Sequence, residues 1–271
     1  MSPALAIVYA YYEKNAEYRE NLVFFLEHGL GGYISSPDVD FFLVINGTCT
    51  VPLPSGLANV KVLHRENTGY DFGGYNHAVA AMTRQYDYYM FVNTSCRGPF
   101  LPPYAQRNMI WTDAFVQLLQ QGDGVKLVGP TINVLELNPS LATVQTFMFA
   151  MDAECMALLR GEGFWTGTYG DMGSLIEEKE IGLSRRVLQQ GWNISCLIPE
   201  YQNRDYRHVR AVFNPDAWSY GGDIMFGGKI CFGRAIHPYE CMFIKTNRDA
   251  SNEETASLTR AFSHTARENR P

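Results

Sequence analysis

Residues 59–100 constrain the fold of this chain more than any other stretch. They hold two short apolar runs, 60–64 and 88–92, each of a length that suits a buried strand. Between the runs lie a glycine-rich segment from Asn67 to Gly74, expected to turn, and then a helical stretch. Ala78, Ala81 and Met82 fall at i, i+3 and i+4, so one apolar face can lie on a sheet. Strand, turn, helix and strand in that order make an α/β unit, and such units bind ligands at the carboxyl ends of their strands. Those ends carry Glu66, Asn67 and Asp71 on one side and Asn93, Ser95 and Arg97 on the other.

The preceding residues extend the same pattern. Residues 5–9 read as a first strand whose end, with Tyr11, lies at the mouth of the sheet. Asn15 is placed to cap a helix with Glu17 in its first turn, an apolar face of Leu22, Phe25, Leu26 and Leu30, and Gly29 to end it. Residues 39–45 read as a second strand, closed by the turn pair Asn46-Gly47. The order strand, helix, strand, strand, helix, strand predicts a largely parallel, Rossmann-like sheet.

Further on, residues 98–104 contain three prolines and read as a rigid loop. Thr112 is placed to cap a helix carrying Phe115, Leu118 and Leu119. Residues 126–128 and 143–151 read as strands, and Asp152 as the cap of a short helix ending at Gly161. Residues 162–171, EGFWTGTYGD, form a loop that either lines a sugar site with its aromatic faces or is simply anchored by them.

A helix is expected over residues 174–190. Ser174 and Glu177 have the spacing of a capping box. Ile176, Glu180, Leu183 and Val187 form one continuous stripe, three aliphatic side chains and a carboxylate. A carboxylate on an inward stripe is costly unless it is paired or borders a cleft, and burial makes it a better proton acceptor. Glu180 is therefore a base in a cleft, a partner of a buried Arg, or a rotated, solvated side chain.

The strings Asn67-Thr-Gly-Tyr-Asp71-Phe-Gly-Gly74 and Asn93-Thr-Ser95, followed by Arg97-Gly-Pro, resemble the donor-binding half of inverting glycosyltransferases of the GT-A, or nucleotide-diphosphosugar transferase, fold. Within that fold the chain is similar to the group around rhamnan synthesis protein F and its algal and chlorella-virus relatives. Glu180-Ile-Gly-Leu183 to Arg186, then Gly191-Trp192-Asn-Ile194, is similar to the family-2 pattern of two acids, Leu, Arg and Gly-aromatic-x-Ile. The second acid there is the catalytic base and falls on Glu180; the first falls on Lys179. His237-Pro-x-Glu240, then Phe243-x-Lys245-Thr-x-Arg248, resembles the same group.

The resemblance implies an α/β GT-A fold and single-displacement transfer of a sugar from a UDP-sugar to a glycan or glycoconjugate hydroxyl, with Glu180 as base. Asp171, just before the helix, is the next catalytic candidate, and it can equally cap the helix or bind acceptor hydroxyls. The donor set that the resemblance implies includes Tyr11, Asn67, Asp71 and Gly74, with Asn93 and Ser95 at the end of the fourth strand. Arg97, Lys245 and Arg248 are the cations for the pyrophosphate. Mn²⁺ or Mg²⁺ would fall to Asn93, Ser95 and His237, although neutral oxygens hold such ions weakly; His237 can equally be a structural residue ahead of Pro238. A non-catalytic descendant that binds nucleotide or glycan is the alternative. A sugar-nucleotide pyrophosphorylase is disfavoured, because residues 11–15 lack the glycines of its loop.

Bulk properties agree with an ordered α/β protein. The chain has 271 residues, 46% hydrophobic and 18% charged, enough for a sizeable core. One domain over 1–248 is expected, with a nucleotide-binding half near 1–130, an acceptor half over 131–248 and a polar tail after it. A net charge of −6 argues against nucleic acid as a partner. No apolar run is long enough for a membrane span, and the first residues lack the pattern of a secretion signal. The six cysteines include no Cys-x-x-Cys pair, so reduced thiols and a cytoplasmic setting are expected.

Overall fold

All seven residues of β1 (Leu5–Tyr11) are buried, as happens to a strand covered on both faces of a sheet. The computed structural model that shows this describes residues 2–33, 36–105, 109–135, 138, 141–167, 169–248 and 252–268. After β1 come α1 (Ala16–His28), β2 (Val39–Asn46), β3 (Val60–Arg65), α2 (Tyr70–Ala81), β4 (Tyr88–Asn93) and the short β5 (Cys96–Arg97). Next are α3 (Trp111–Gln120), β6 (Val125–Gly129), β7 (Ile132–Asn133), β8 (Thr143–Val144), β9 (Met148–Asp152) and α4 (Ala153–Gly161). The chain continues through α5 (Met172–Leu175), a π turn (Ile176–Ile181), α6 (Gly182–Gln189), β10 (Asn193–Cys196), α7 (Pro238–Cys241), β11 (Ile244–Lys245) and α8 (Asn252–Glu268).

Seven strands form one sheet in the order β10-β6-β9-β4-β1-β2-β3. Every neighbouring pair is parallel except the two made by β9, which runs against β4 and β6. This is the mixed, mainly parallel α/β sheet flanked by helices that the sequence predicts. Asn15 caps α1 by accepting from the Tyr18 N–H, and Asp152 caps α4 by accepting from the Cys155 N–H, both as expected. No helix among the described residues is long and apolar enough to cross a membrane.

Several local expectations are corrected. Helix α2 begins at Tyr70, so Gly73 and Gly74 lie inside it rather than in a turn. A Cβ on Gly73 would come within 2.2 Å of the Thr68 carbonyl oxygen, and one on Gly74 within 3.1 Å of Ala10. The glycine pair thus lets the helix settle onto β1 beneath the guanidinium of Arg65, which donates to Asn46 and Thr68. Thr112 lies in the first turn of α3, and Asp113 closes that helix start by accepting from the Ile110 N–H. The strand expected over 143–151 is broken into β8 and β9, and Gln145, Thr146 and Phe147 pass between them. The polar segment at the C-terminal end forms α8, whose buried Phe262 meets Phe24, His28 and Phe100.

The helix expected from residue 174 starts at Met172, with Asp171 as its cap through the Ser174 N–H. The Ser174–Glu177 capping box is absent, and Glu177 instead pairs with Arg185 at 2.7 Å. The π turn shifts the register of the predicted stripe. Ile176 and Glu180 face a cleft, whereas Leu183 and Val187 are in the core.

Candidate active site

A cleft of about 960 Å³ opens over the carboxyl ends of β1, β2 and β4. Tyr12, Asn46, Asn67 and Tyr70 line it at the end formed by β1 to β3 and the start of α2. Asp71, Asn93 and Ser95 lie along its floor, with Gln145 and Thr146 from the passage between β8 and β9. Glu180 enters from the π turn, Lys245 from β11, and Arg248 from the residues after it. The parallel sheet ends all its central strands on one side, which is why these side chains converge.

The floor is a connected polar chain. Asn93 Nδ2 donates to Asp71 Oδ2 at 2.8 Å. Asn93 Oδ1 accepts from the Ser95 backbone N–H at 2.9 Å and from its hydroxyl at 2.6 Å. Asp71 Oδ1 accepts from the Phe72 N–H at 3.0 Å. Burial holds the Asp71 carboxyl above the usual range; the bonds from Asn93 and Phe72 and the charge of Lys245 oppose that shift.

Glu180 is half-buried at the edge of this chain. Its pKa is raised to about 7, chiefly by burial and then by the Asp71 charge, against the pull of Lys245, the Thr146 hydroxyl and Arg248. A carboxylate poised near neutrality suits proton transfer. The adjacent Lys179 turns the other way and is buried. Its ammonium donates to the Phe164 carbonyl and, at 3.2 Å, to that of Thr166. Burial lowers its pKa to about 8. The position where the family-2 pattern has its first acid is therefore a strut beneath the π turn.

Asn67, Asp71, Asn93, Ser95, Glu180, Lys245 and Arg248 are thus brought together in one cleft. Other expected site residues are not. Arg97 is 5% exposed and points away, donating to Asn21 at 2.8 Å, Glu20 at 3.1 Å and Thr259 at 3.3 Å. It ties β5 to α1 and α8, so its charge is already spent. Tyr11 is buried and donates its hydroxyl to Glu13 at 3.0 Å. Gly74 packs α2 on β1, as described above. His237 caps α7, accepting from the Tyr239 N–H at 3.1 Å through Nδ1, and does not reach the cleft. Asp171 is an exposed helix cap outside the cleft lining. Phe164 and Trp165 of the 162–171 loop are buried, Trp165 stacked on Phe91 at 4.9 Å, so their rings do not line the cleft.

Sequence reasoning missed Lys14, Asn46, Gln145, Asp223 and Asn247, all in the lining. Asn46 read as a turn residue, yet its Nδ2 donates to the Tyr11 carbonyl at 2.9 Å and its side chain sits at the end of β2. Asp223 lies 3.5 Å from Arg248, whose guanidinium also sits over the Phe226 ring at 5.2 Å. No local sequence signal marks either partner.

The donor set does not fit a divalent cation. Asn93 has committed its oxygen to Ser95 and its amide to Asp71. His237 is elsewhere, and two cations, Lys245 and Arg248, act on the carboxylates present. Among the described residues no group of three or more His, Cys, Asp and Glu side chains could hold a metal ion.

No protein-family model matches the sequence, and no curated protein does. Among solved structures the chain is similar to a mannosyltransferase from Pyrobaculum calidifontis, in complex with GDP-Man and Mn²⁺, at 11% identity over 72% of this chain and 55% of that one, TM-score 0.46. The chain spans about half the length of that enzyme. It is also similar to 4-diphosphocytidyl-2C-methyl-D-erythritol synthase from Anaerococcus prevotii, at 12% identity over 76% of this chain and 91% of that one, TM-score 0.40. S. aureus TarS 1-349 in complex with UDP-GlcNAc matches at 12% identity over 61% of this chain and 49% of that one, TM-score 0.39.

Proposed function

We propose that the protein is a nucleotide-sugar-dependent glycosyltransferase that inverts the anomeric centre. The observation that carries this reading is the juxtaposition of Glu180, a carboxyl with a pKa of about 7, with Lys245 and Arg248 in one cleft. A base for an incoming hydroxyl and cations for a departing diphosphate are the two charges such a displacement needs. Tyr12, Asn46 and Asn67 would hold the nucleoside at the ends of β1 to β3. Asp71 would lie nearer the reacting centre, since its charge acts on Glu180. The resemblance favours a UDP-sugar, with rhamnose or another hexose, and a glycan or glycoconjugate acceptor. Residues up to about 130 would form the donor half and 131–248 the acceptor half, with Lys245 and Arg248 returning to the diphosphate.

Thermal denaturation with nucleotides tests the donor site. UDP should raise the melting temperature, because a ligand bound only by the folded state stabilises it. Asp71→Ala should remove most of that shift. EDTA should leave most of it in place, and Lys245→Ala should weaken it further, since the protein's own cations meet the diphosphate. If UDP, GDP and dTDP at millimolar concentration all leave the melting temperature unchanged, the donor reading is wrong. Complete loss with EDTA and full rescue by Mn²⁺ would show that the Asn93–Ser95 cluster holds a metal after all. The self-satisfied bonding of Asn93 also suits a non-catalytic nucleotide-binding descendant; UDP binding with no transfer or hydrolysis of any nucleotide-sugar would favour that reading.

A further inference from the structure

The end of the cleft away from β1 to β3 has its own character. Gln145 lines it and is only 5% exposed. Its Nε2 donates to Asn133 Oδ1 at 2.7 Å, while its buried Oε1 has no hydrogen-bond partner. Buried polar atoms are nearly always paired, so an unpaired acceptor in a cleft points to a missing donor. The next residue, Thr146, contacts Glu180 through its hydroxyl.

Two aromatic rings complete this end. Tyr220 and Phe226 pack with centroids 4.9 Å apart and a 30° tilt, and they are 42% and 43% exposed. Both line the cleft. Their segment is anchored at Gly222, at φ +78, where a Cβ would come within 2.6 Å of the Val134 carbonyl oxygen. Val134 directly follows Asn133, so the amides and the rings belong to one wall. A part-exposed aromatic pair beside an amide acceptor matches a ligand that is apolar on one face and hydroxylated at its edge.

We propose that Asn133, Gln145, Tyr220 and Phe226 form the acceptor subsite and that it takes a pyranose ring. The C–H face of the ring lies on Tyr220, which is backed by Phe226 and the Arg248 guanidinium over it. One hydroxyl donates to Gln145 Oε1, and a neighbouring hydroxyl is presented to Glu180. This rests on the glycosyltransferase reading of the cleft. In the transfer, the acceptor O–H proton goes to Glu180 and the freed oxygen bonds to the anomeric carbon. The bond from that carbon to the diphosphate oxygen breaks, and its electron pair leaves on the diphosphate.

The test is saturation-transfer-difference NMR of the full chain with UDP present. The probes are the methyl pyranosides of glucose, galactose, mannose and rhamnose at tens of millimolar. At least one should bind, with its strongest signals on ring C–H protons. Tyr220→Ala and Gln145→Met should each weaken it at least about tenfold, or about 1.4 kcal/mol, while the UDP thermal shift is retained. Gln145→Met removes the acceptor oxygen with little change in volume and serves if Tyr220→Ala fails to fold by circular dichroism. A UDP shift with no pyranoside bound overturns the subsite and leaves the donor site standing. So does pyranoside affinity unchanged in both variants. Loss of the UDP shift in the unmutated protein instead overturns the donor reading.

Discussion

Residues 162–171 and 218–226 are both rich in aromatics and glycine, and their surroundings are opposite. In the first, Trp165 is sealed against Phe91 and Phe164 sits at right angles to it, with centroids 5.1 Å apart. In the second, Tyr220 and Phe226 stay about two-fifths exposed at a cleft wall, with Arg248 over the Phe226 ring. Consecutive residues of the π turn serve the two regions separately. Lys179 binds carbonyls of the first stretch, and Glu180 faces the cleft that the second one walls. Composition therefore does not tell a sugar-facing aromatic from a core one. What decides is whether a flat apolar sheet face lies beneath the ring, as Phe91 of β4 lies beneath Trp165, or an open polar cleft.

The sharpest break in this comparison is at Glu180. Glu180→Gln should keep the fold and UDP binding but slow transfer about 10²–10⁴-fold, the usual worth of a general base. Transfer by the unmutated protein should rise with pH through about 7, the pKa of Glu180. Asp71→Asn should move that limb to lower pH, because the Asp71 charge helps to raise this pKa. Linkage gives a second readout. The folded state binds the Glu180 proton more tightly than the unfolded chain, so this residue's contribution to stability falls as pH rises from about 4.5 to about 7. Glu180→Gln should flatten that fall in urea titrations. A folded Glu180→Gln variant with unmutated turnover would remove the residue from the mechanism.

Trp165→Ala should cost about 3–5 kcal/mol of stability, the range for truncating a large core aromatic. Urea unfolding measures it; a loss below about 1 kcal/mol would place Trp165 with the exposed aromatics instead. Lys179→Met should cost about 1–3 kcal/mol by leaving the buried Phe164 carbonyl without a donor. Its pKa is lowered to about 8 from 10.5, so the unfolded chain binds its proton more tightly, and its contribution to stability rises with pH between those values. The Met variant should lack that rise, and an unchanged pH dependence would contradict the strut. The smallest effect is expected at Tyr220→Ala, within about 0.5 kcal/mol in stability, as for other exposed positions. A larger loss would mean that this ring is structural like Trp165.

The sequence by itself determined β1 to β4 and β6, the caps at Asn15 and Asp152, and the placement of Asn93 and Ser95 at the end of β4. It also marked Glu180 as a carboxylate at a cleft, one of three readings, although the π turn breaks the stripe that suggested it. These follow from local periodicity and capping chemistry, which a few neighbouring residues set. Only the tertiary structure decided which polar side chains remain free for a ligand. Arg97 read like a phosphate cation, but Asn21 and Thr259, 76 and 162 residues away, take its donors. His237 read equally as a metal ligand or a structural residue ahead of Pro238, and the structure decides for the second, since its ring nitrogen closes a helix start. Gly73 and Gly74 read like a turn, but they lie inside α2, where the Thr68 carbonyl bars a Cβ at Gly73 and the approach to β1 leaves little room for one at Gly74. Tyr220 and Phe226 gave no signal at all, because exposure at a cleft depends on which element lies opposite. A polar group's partner is fixed by chain topology, and hydrogen bonds that span the chain leave no mark in local sequence.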